Sequence, residues 1–185
     1  GLEQLASREK STAYIFEGAK AAEAAYRLGN PSGRAERELA DSHPWALDFR
    51  YAACLGFTGG IYAAKNTDWS WLRKFGITDV VLVPDCDSGG RDAMFDVADV
   101  IDLPSRIFNT SHLFPSGWDV ADPFPDSARS VTANLSLFQL CEISTPVLVE
   151  YFDDDGKPQK AVNRQFSKDF VHLSKPNLFI DTRNP

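Results

Sequence analysis

The residues of this chain best suited to chemistry are Asp85 and Asp87, in the stretch Val80-Val81-Leu82-Val83-Pro84-Asp85-Cys86-Asp87-Ser88-Gly89-Gly90-Arg91-Asp92-Ala93. The apolar run before them, mostly β-branched, reads as a short strand buried on both faces of a parallel sheet. Pro84 cannot donate to a sheet ladder and so belongs at or beyond the strand's end. Gly89 and Gly90 predict a tight turn, after which Ala93, Val97, Ala98 and Ile101 predict an amphipathic helix over Asp92–Asp102. Ligands of open α/β sheets bind beyond the carboxyl ends of the strands, where both aspartates fall. Two like charges ~4 Å apart repel by roughly 4 kcal/mol at an effective dielectric of ~20. That cost equals about 3 pKa units, enough to protonate one of the pair near neutral pH. A hard cation removes it, and oxygen-only ligands favour Mg²⁺ or Mn²⁺. An Asx-rich turn, with both side chains capping backbone groups, accounts for Asp-x-Asp alone equally well.

The elements that would position further acids follow the same order of strand, acid, glycine and helix. Thr12-Ala13-Tyr14-Ile15-Phe16 reads as a strand ended by Glu17-Gly18, and Ala19 to Leu28 as a strong helix former closed by Gly29. Glu17 therefore also belongs at a carboxyl edge, although a lone Glu there is commonly a solvated cap. Ser105 to Phe108 is another strand, followed by Gly117-Trp118-Asp119-Val120-Ala121-Asp122 in a loop stiffened by Pro115 and Pro123. Residues 30–50 read as loop and solvated helix, with His43 a surface or packing residue. Tyr51 to Phe57 reads as a strand leading into Thr58-Gly59-Gly60, and Ile61 to Lys65 as a helix whose N–H groups could face an anion. The Walker pattern is missing there. Asp68-Trp69-Ser70-Trp71-Leu72 caps and packs a short segment, its tryptophans reading as core rather than as a base-stacking platform. His112 has no nucleophile to pair with, and no Ser/His/Asp or Cys/His arrangement is present.

With 185 residues, 43% of them hydrophobic, the chain has material for one full-sized domain with an appendage. A net charge of −7 argues against a surface that coats nucleic acid generally, but not against a local site. No apolar run approaches the ~20 residues of a membrane helix, and no signal peptide opens the chain. Cys54, Cys86 and Cys141 are scattered, so neither a structural zinc nor a disulfide framework is expected, and a cytoplasmic location is. Gly1 in place of Met suggests a piece of a longer protein. Past Pro125 the character changes. Val131 to Ile143 reads as an amphipathic helix, Pro146 to Phe152 as a strand, Asp153 to Pro158 as a solvated hairpin turn, residues 164–173 as a helix and Asn177 to Ile180 as a strand.

Glu17-Gly18, Asp85-x-Asp87 and Gly117-x-Asp119-x-x-Asp122, each after a strand, together resemble the TOPRIM domain of DNA primases, topoisomerases and some nucleases. Ile15-Phe16-Glu17-Gly18-Ala19-Lys20 is similar to that family's first motif, with Ala19 where a charged residue is common. Val83 to Gly90 is similar to its Asp-x-Asp motif, with Cys86 between the acids. The Gly59-Gly60 turn, Thr67-Asp68-Trp69 and Gly117 to Asp122 most resemble primases and primase-helicases of phages, plasmids and prophages. The resemblance implies an α/β, Rossmann-like, mostly parallel sheet of about four strands flanked by helices over residues 10–126. Residues 127–185 then form a C-terminal α+β appendage or the start of a neighbouring module. It further implies Mg²⁺ or Mn²⁺ held by Glu17, Asp85, Asp87, Asp119 and, more weakly, Asp122, with Glu17, Asp85 and Asp87 catalytic. Lys20, Gly59, Gly60, Lys65 and Arg91 would lie near phosphates. The implied activity is Mg-dependent nucleotidyl transfer making RNA primers from nucleoside triphosphates on single-stranded DNA, in concert with other primase or helicase domains. The zinc module and further catalytic subdomain that such primases need are not legible here, so the isolated fragment is expected to make no primer. A TOPRIM nuclease and a non-catalytic adaptor of a replication or mobile-element protein are the alternatives; a topoisomerase fits poorly, since no nucleophilic tyrosine module is evident.

Overall fold

The computed structural model describes residues 10–57, 59, 63, 66–108, 114–132, 137, 141–143, 148–152, 158–162, 170–174 and 177–181. By contacts the chain divides into two units, Gly1–Ser144 and Thr145–Pro185. In the first, strands β1 (Thr12–Phe16), β2 (Ala53–Gly56), β3 (Asp79–Val83) and β4 (Ser105–Phe108) form a parallel sheet in the order β2-β1-β3-β4. A fifth strand, β5 (Cys141–Ile143), adds to β4 antiparallel. Among the described residues this unit also has helices α1 (Ala19–Gly29), α2 (Arg34–Ser42), α3 (Ala46–Tyr51), α4 (Trp71–Lys74), α5 (Ser88–Val100) and α6 (Asp126–Thr132). It is an α/β, Rossmann-like arrangement.

The apolar runs are continuous because the central strands are covered on both sides. Tyr14, Phe16, Val81 and Val83 face one core with Ala21, Ala25, Trp45, Phe49, Trp118 and Phe124. Ala13, Ile15, Val80 and Leu82 face the other with Trp69, Leu72, Met94 and Val97. Burying a Val, Ile or Phe side chain stabilises by about 1.5–3 kcal/mol, so a one-residue slip of β1 or β3 would exchange two filled cores. The register that results pairs Phe16 with both Val83 and Gly56. The chain therefore leaves β1 and β3 at one level, which places Glu17 beside Pro84-Asp85.

Several expected elements differ. Helix α5 begins at Ser88, not Asp92, so Gly89 and Gly90 lie within its first turn rather than in a tight turn before it. Its buried face, Ala93, Val97 and Ala98, continuing to Ile101, is the expected one. Tyr51 ends a helix, and the strand spans only Ala53–Gly56. Of the helix expected over Val131–Ile143, Val131 and Thr132 end α6 and Cys141–Ile143 is strand β5, to which the edge of β4 supplies main-chain partners; residues 133–136 and 138–140 lie outside the described residues. Residues 127–144 thus cluster with the first unit.

The second unit contains two antiparallel pairs, β6 (Leu148–Phe152) with β7 (Pro158–Val162), and β8 (Phe170–Ser174) with β9 (Asn177–Asp181). Residues 170–173, expected to be helical, are strand; Phe170 and Val171 suit a pleated surface better than a helix. Residues 164–169 lie outside the described residues. Among the described residues no helix is long and apolar enough to cross a membrane.

Candidate metal centre

Glu17 sits between the end of β1 and Gly18, the residue that opens α1. Its Oε2 is buried and has no hydrogen-bond partner among the described residues. Burial pushes its carboxyl above the ordinary value; the backbone amide of Asp85 pulls it back in part, and the Asp87 charge adds to the rise. Asp85 follows β3 by two residues. Burial first, then the charges of Glu17, Asp119 and Asp87, push its carboxyl up to about 6, against a smaller downward pull from Lys20. These acids therefore interact, as the sequence argument required, and the largest cause is loss of water rather than like-charge repulsion.

Asp87 has two structural tasks as well. It caps α5, its Oδ1 accepting from the Gly90 N–H at 2.7 Å, and its own N–H donates to the Asp85 carbonyl at 2.8 Å. The capping reading is thus correct for Asp87, and no such bond holds the Asp85 side chain among those identified. Gly90 explains the second glycine. A Cβ there would lie 2.6 Å from Glu17 Oε2 and 2.7 Å from the Asp85 carbonyl oxygen. The absence of a side chain lets the first turn of α5 press directly onto both acids.

The third acid arrives on a loop clamped to the second. Cys86 N–H donates to the Trp118 carbonyl and Gly117 N–H to the Cys86 carbonyl, both at 2.9 Å. Trp118 anchors the loop in the core, its Nε1–H donating to the Pro123 carbonyl at 3.1 Å. Asp119 and Asp122 organise the turn: Ala121 N–H donates to Asp119 Oδ1 at 2.5 Å, and Asp119 N–H to Asp122 Oδ2 at 3.1 Å. Lys20, exposed on the first turn of α1, lies 3.3 Å from Asp119 Oδ2 and 3.8 Å from Asp122 Oδ1.

The structure thus brings Glu17, Asp85, Asp87, Asp119, Asp122 and Lys20 to one edge of the sheet. Arg91 lies with its guanidinium 5.7 Å from the Phe95 ring centroid, along α5. Gly59 has a left-handed backbone, φ +103°, while Gly60 and Lys65 lie outside the described residues. The sequence reading missed the close approach of Gly90, which a glycine two residues into an amphipathic pattern could have signalled, and the Cys86–Trp118 clamp, which is main-chain and leaves no sequence signal. His43 is a packing residue, as expected. Burial, and to a lesser degree Arg129, push its imidazole down to about 4.

The donor set, carboxylates only, suits a hard divalent cation, and the unpartnered Glu17 Oε2 together with the raised Asp85 carboxyl are what such an ion would relieve. Among the described residues, no three His, Cys, Asp or Glu side chains converge closely enough to enclose an ion as they stand. The chain matches no protein-family model, no curated protein and no solved structure.

Proposed function

We propose that residues 10–126 form a TOPRIM-type metal-binding catalytic core of a DNA primase or primase-helicase, acting in Mg-dependent nucleotidyl transfer that makes RNA primers on single-stranded DNA. The observation that carries this reading is the placement of Glu17, Asp85 and Asp119 at the carboxyl edge of a parallel sheet, where burial and the charges of Glu17 and Asp119 push the Asp85 carboxyl to about 6 and Glu17 Oε2 is buried without a partner among the described residues. Carboxyls made costly to ionise by burial and by neighbouring charges cluster at functional sites. Glu17, Asp85, Asp87 and Asp119 would hold Mg²⁺ or Mn²⁺, with Asp122 supporting the Asp119 turn. The bound metal would supply activation of the attacking hydroxyl and neutralisation of the triphosphate. Lys20, alternating between Asp119 and a phosphate, would orient the substrate.

The test is calorimetric titration of Mn²⁺ and Mg²⁺ into the wild type and into Asp85→Asn/Asp87→Asn. Binding in the millimolar range or tighter, abolished by the double change, is expected; equal affinity in both proteins refutes the metal site. A second reading is favoured by the Lys20 ion pairs with Asp119 and Asp122. There the protein is a non-catalytic adaptor in replication whose acids are already balanced by a lysine, and no cation binds. A nuclease with the same acids would show loss of labelled DNA instead of primer formation.

A further inference from the structure

A cavity of about 590 Å³ opens along β2 and is lined by Ala19, Ala22, Glu23 and Tyr26 of α1, by Cys54 to Gly56 of β2, and by Trp69, Trp71 and Phe75. Its two sides come from opposite faces of the sheet, since Ala22 belongs to one core and Trp69, with Trp71 packed against it, to the other. Trp69 is buried, as the sequence reading had it, but Trp71 is only half-buried and Tyr26 and Phe75 are 37% and 43% exposed. The Trp69 and Trp71 rings stack at 6.4 Å and 30°, and Phe75 meets Trp71 edge-on at 6.0 Å. The result is a slot with aromatic walls, lined by three aromatic rings that are only partly buried.

The slot is continuous with the acidic edge. It begins at Ala19, two residues past Glu17. A Cβ on Gly56 would stand 2.6 Å from the Gly18 carbonyl oxygen, so the cavity floor and the turn carrying Glu17 are in backbone contact. The Ala19 end of the slot is therefore the end next to the turn that carries Glu17. Aromatic side chains bind a nucleobase through its π-face with little regard to sequence, and the Glu23 carboxylate on the wall offers an acceptor for an exocyclic amine.

We infer that this cavity takes the base of a mononucleotide whose phosphates lie toward the acidic edge, with Trp71 and Tyr26 as the stacking surfaces. The inference rests on the nucleotidyl-transfer reading for its choice of ligand, but its test needs no metal. Adenosine, which carries the amine and no phosphate, is titrated into the metal-free protein while tryptophan fluorescence and heat are followed. Saturable quenching is expected, and Tyr26→Ala, which keeps every tryptophan, should weaken binding about fivefold or more. Trp71→Phe, which keeps a flat ring, should retain binding by calorimetry with an unchanged circular dichroism spectrum. Asp85→Asn/Asp87→Asn should bind adenosine like the wild type, so that failure of the metal site and failure of the base site are told apart. No saturable binding of adenosine, or binding that Tyr26→Ala leaves unchanged in a folded protein, overturns the inference.

Discussion

Replacing Asp85 by Asn should stabilise the metal-free protein at neutral pH and leave it nearly unchanged at pH 4. The carboxyl of Asp85 moves from 3.8 to about 6 on folding. At 1.36 kcal/mol per pKa unit the cost of ionising it in the native state is at most about 3 kcal/mol. The side chain is only half-buried, and solvent screening reduces this to about 1–2 kcal/mol. The sign follows from proton counting. Between pH 4 and 6 the folded protein holds this proton and the unfolded chain has released it, so stability falls as pH rises through that window, and the loss is complete above about 6. Asparagine has the same shape and no charge, and the Asp85 main-chain bond from Asp87 N–H is untouched. At 2–4 °C per kcal/mol for a chain of this size, Tm should rise by about 2–8 °C at pH 7.5. Thermal melts in chelator from pH 4 to 8, followed by tryptophan fluorescence, read the first unit alone, because all the tryptophans lie within residues 45–118. Mn²⁺ should then reverse the order by stabilising only the wild type. A difference between the two proteins that does not change with pH, or a variant less stable at pH 7.5, refutes the electrostatic argument for the site.

Gly90→Ala should destabilise by about 1–3 kcal/mol despite the helix propensity it gains, because its Cβ would meet Glu17 Oε2 and the Asp85 backbone at 2.6–2.9 Å. A urea midpoint equal to or above that of the wild type would show that α5 can shift away from the acids. His43 should remain neutral to about pH 4, its ring protons titrating near there by NMR rather than near 6.5. Since its folded-state value is depressed, its contribution to stability is present above about 6.5 and lost as pH falls toward 4. That trend opposes Asp85 and cancels in the comparison of Asp85→Asn with wild type. A midpoint above 6 would place the ring in water rather than among Trp45, Phe49 and Phe124.

The parts of this fold legible in the sequence are those where local preference and tertiary demand coincide. Val80 to Val83 is apolar at every position because both faces of β3 are covered, and the acids follow it because a parallel strand must end where its chain turns into a helix. Cys141–Ile143 and residues 170–173, the ends of helices expected over Val131–Ile143 and 164–173, are strand for the converse reason. Short apolar runs satisfy either period, and only a partner strand, β4 or β9, decides between them. The acidic residues of the site were readable one by one, whereas their electrostatics were not. Two like charges were expected to dominate, yet burial is the larger cause at both Glu17 and Asp85. That burial is made by Gly90 and by the Cys86–Trp118 clamp, main-chain features that shape a site without contributing a side chain to it.

The same reasoning bears on how the site is kept from collapsing. A carboxyl raised toward neutrality can be relieved by moving into water, by protonation or by a counter-ion, and the structure limits the first. Glu17 is set by the register of Phe16 against Val83, and Asp85 by main-chain bonds to Asp87 and, through Cys86, to Trp118. Among the described residues Lys20 forms ion pairs with Asp119 and Asp122, both on the outer loop, and acts on Asp85 only as a weaker charge, while Glu17 Oε2 has no partner. The cluster is therefore divided, with an outer pair that shares one lysine and an inner pair that has no ion pair among the described residues. A divalent ion held by the inner pair together with Asp87 and Asp119 would offset that charge, which is why metal affinity should depend more on Asp85 than on Asp122.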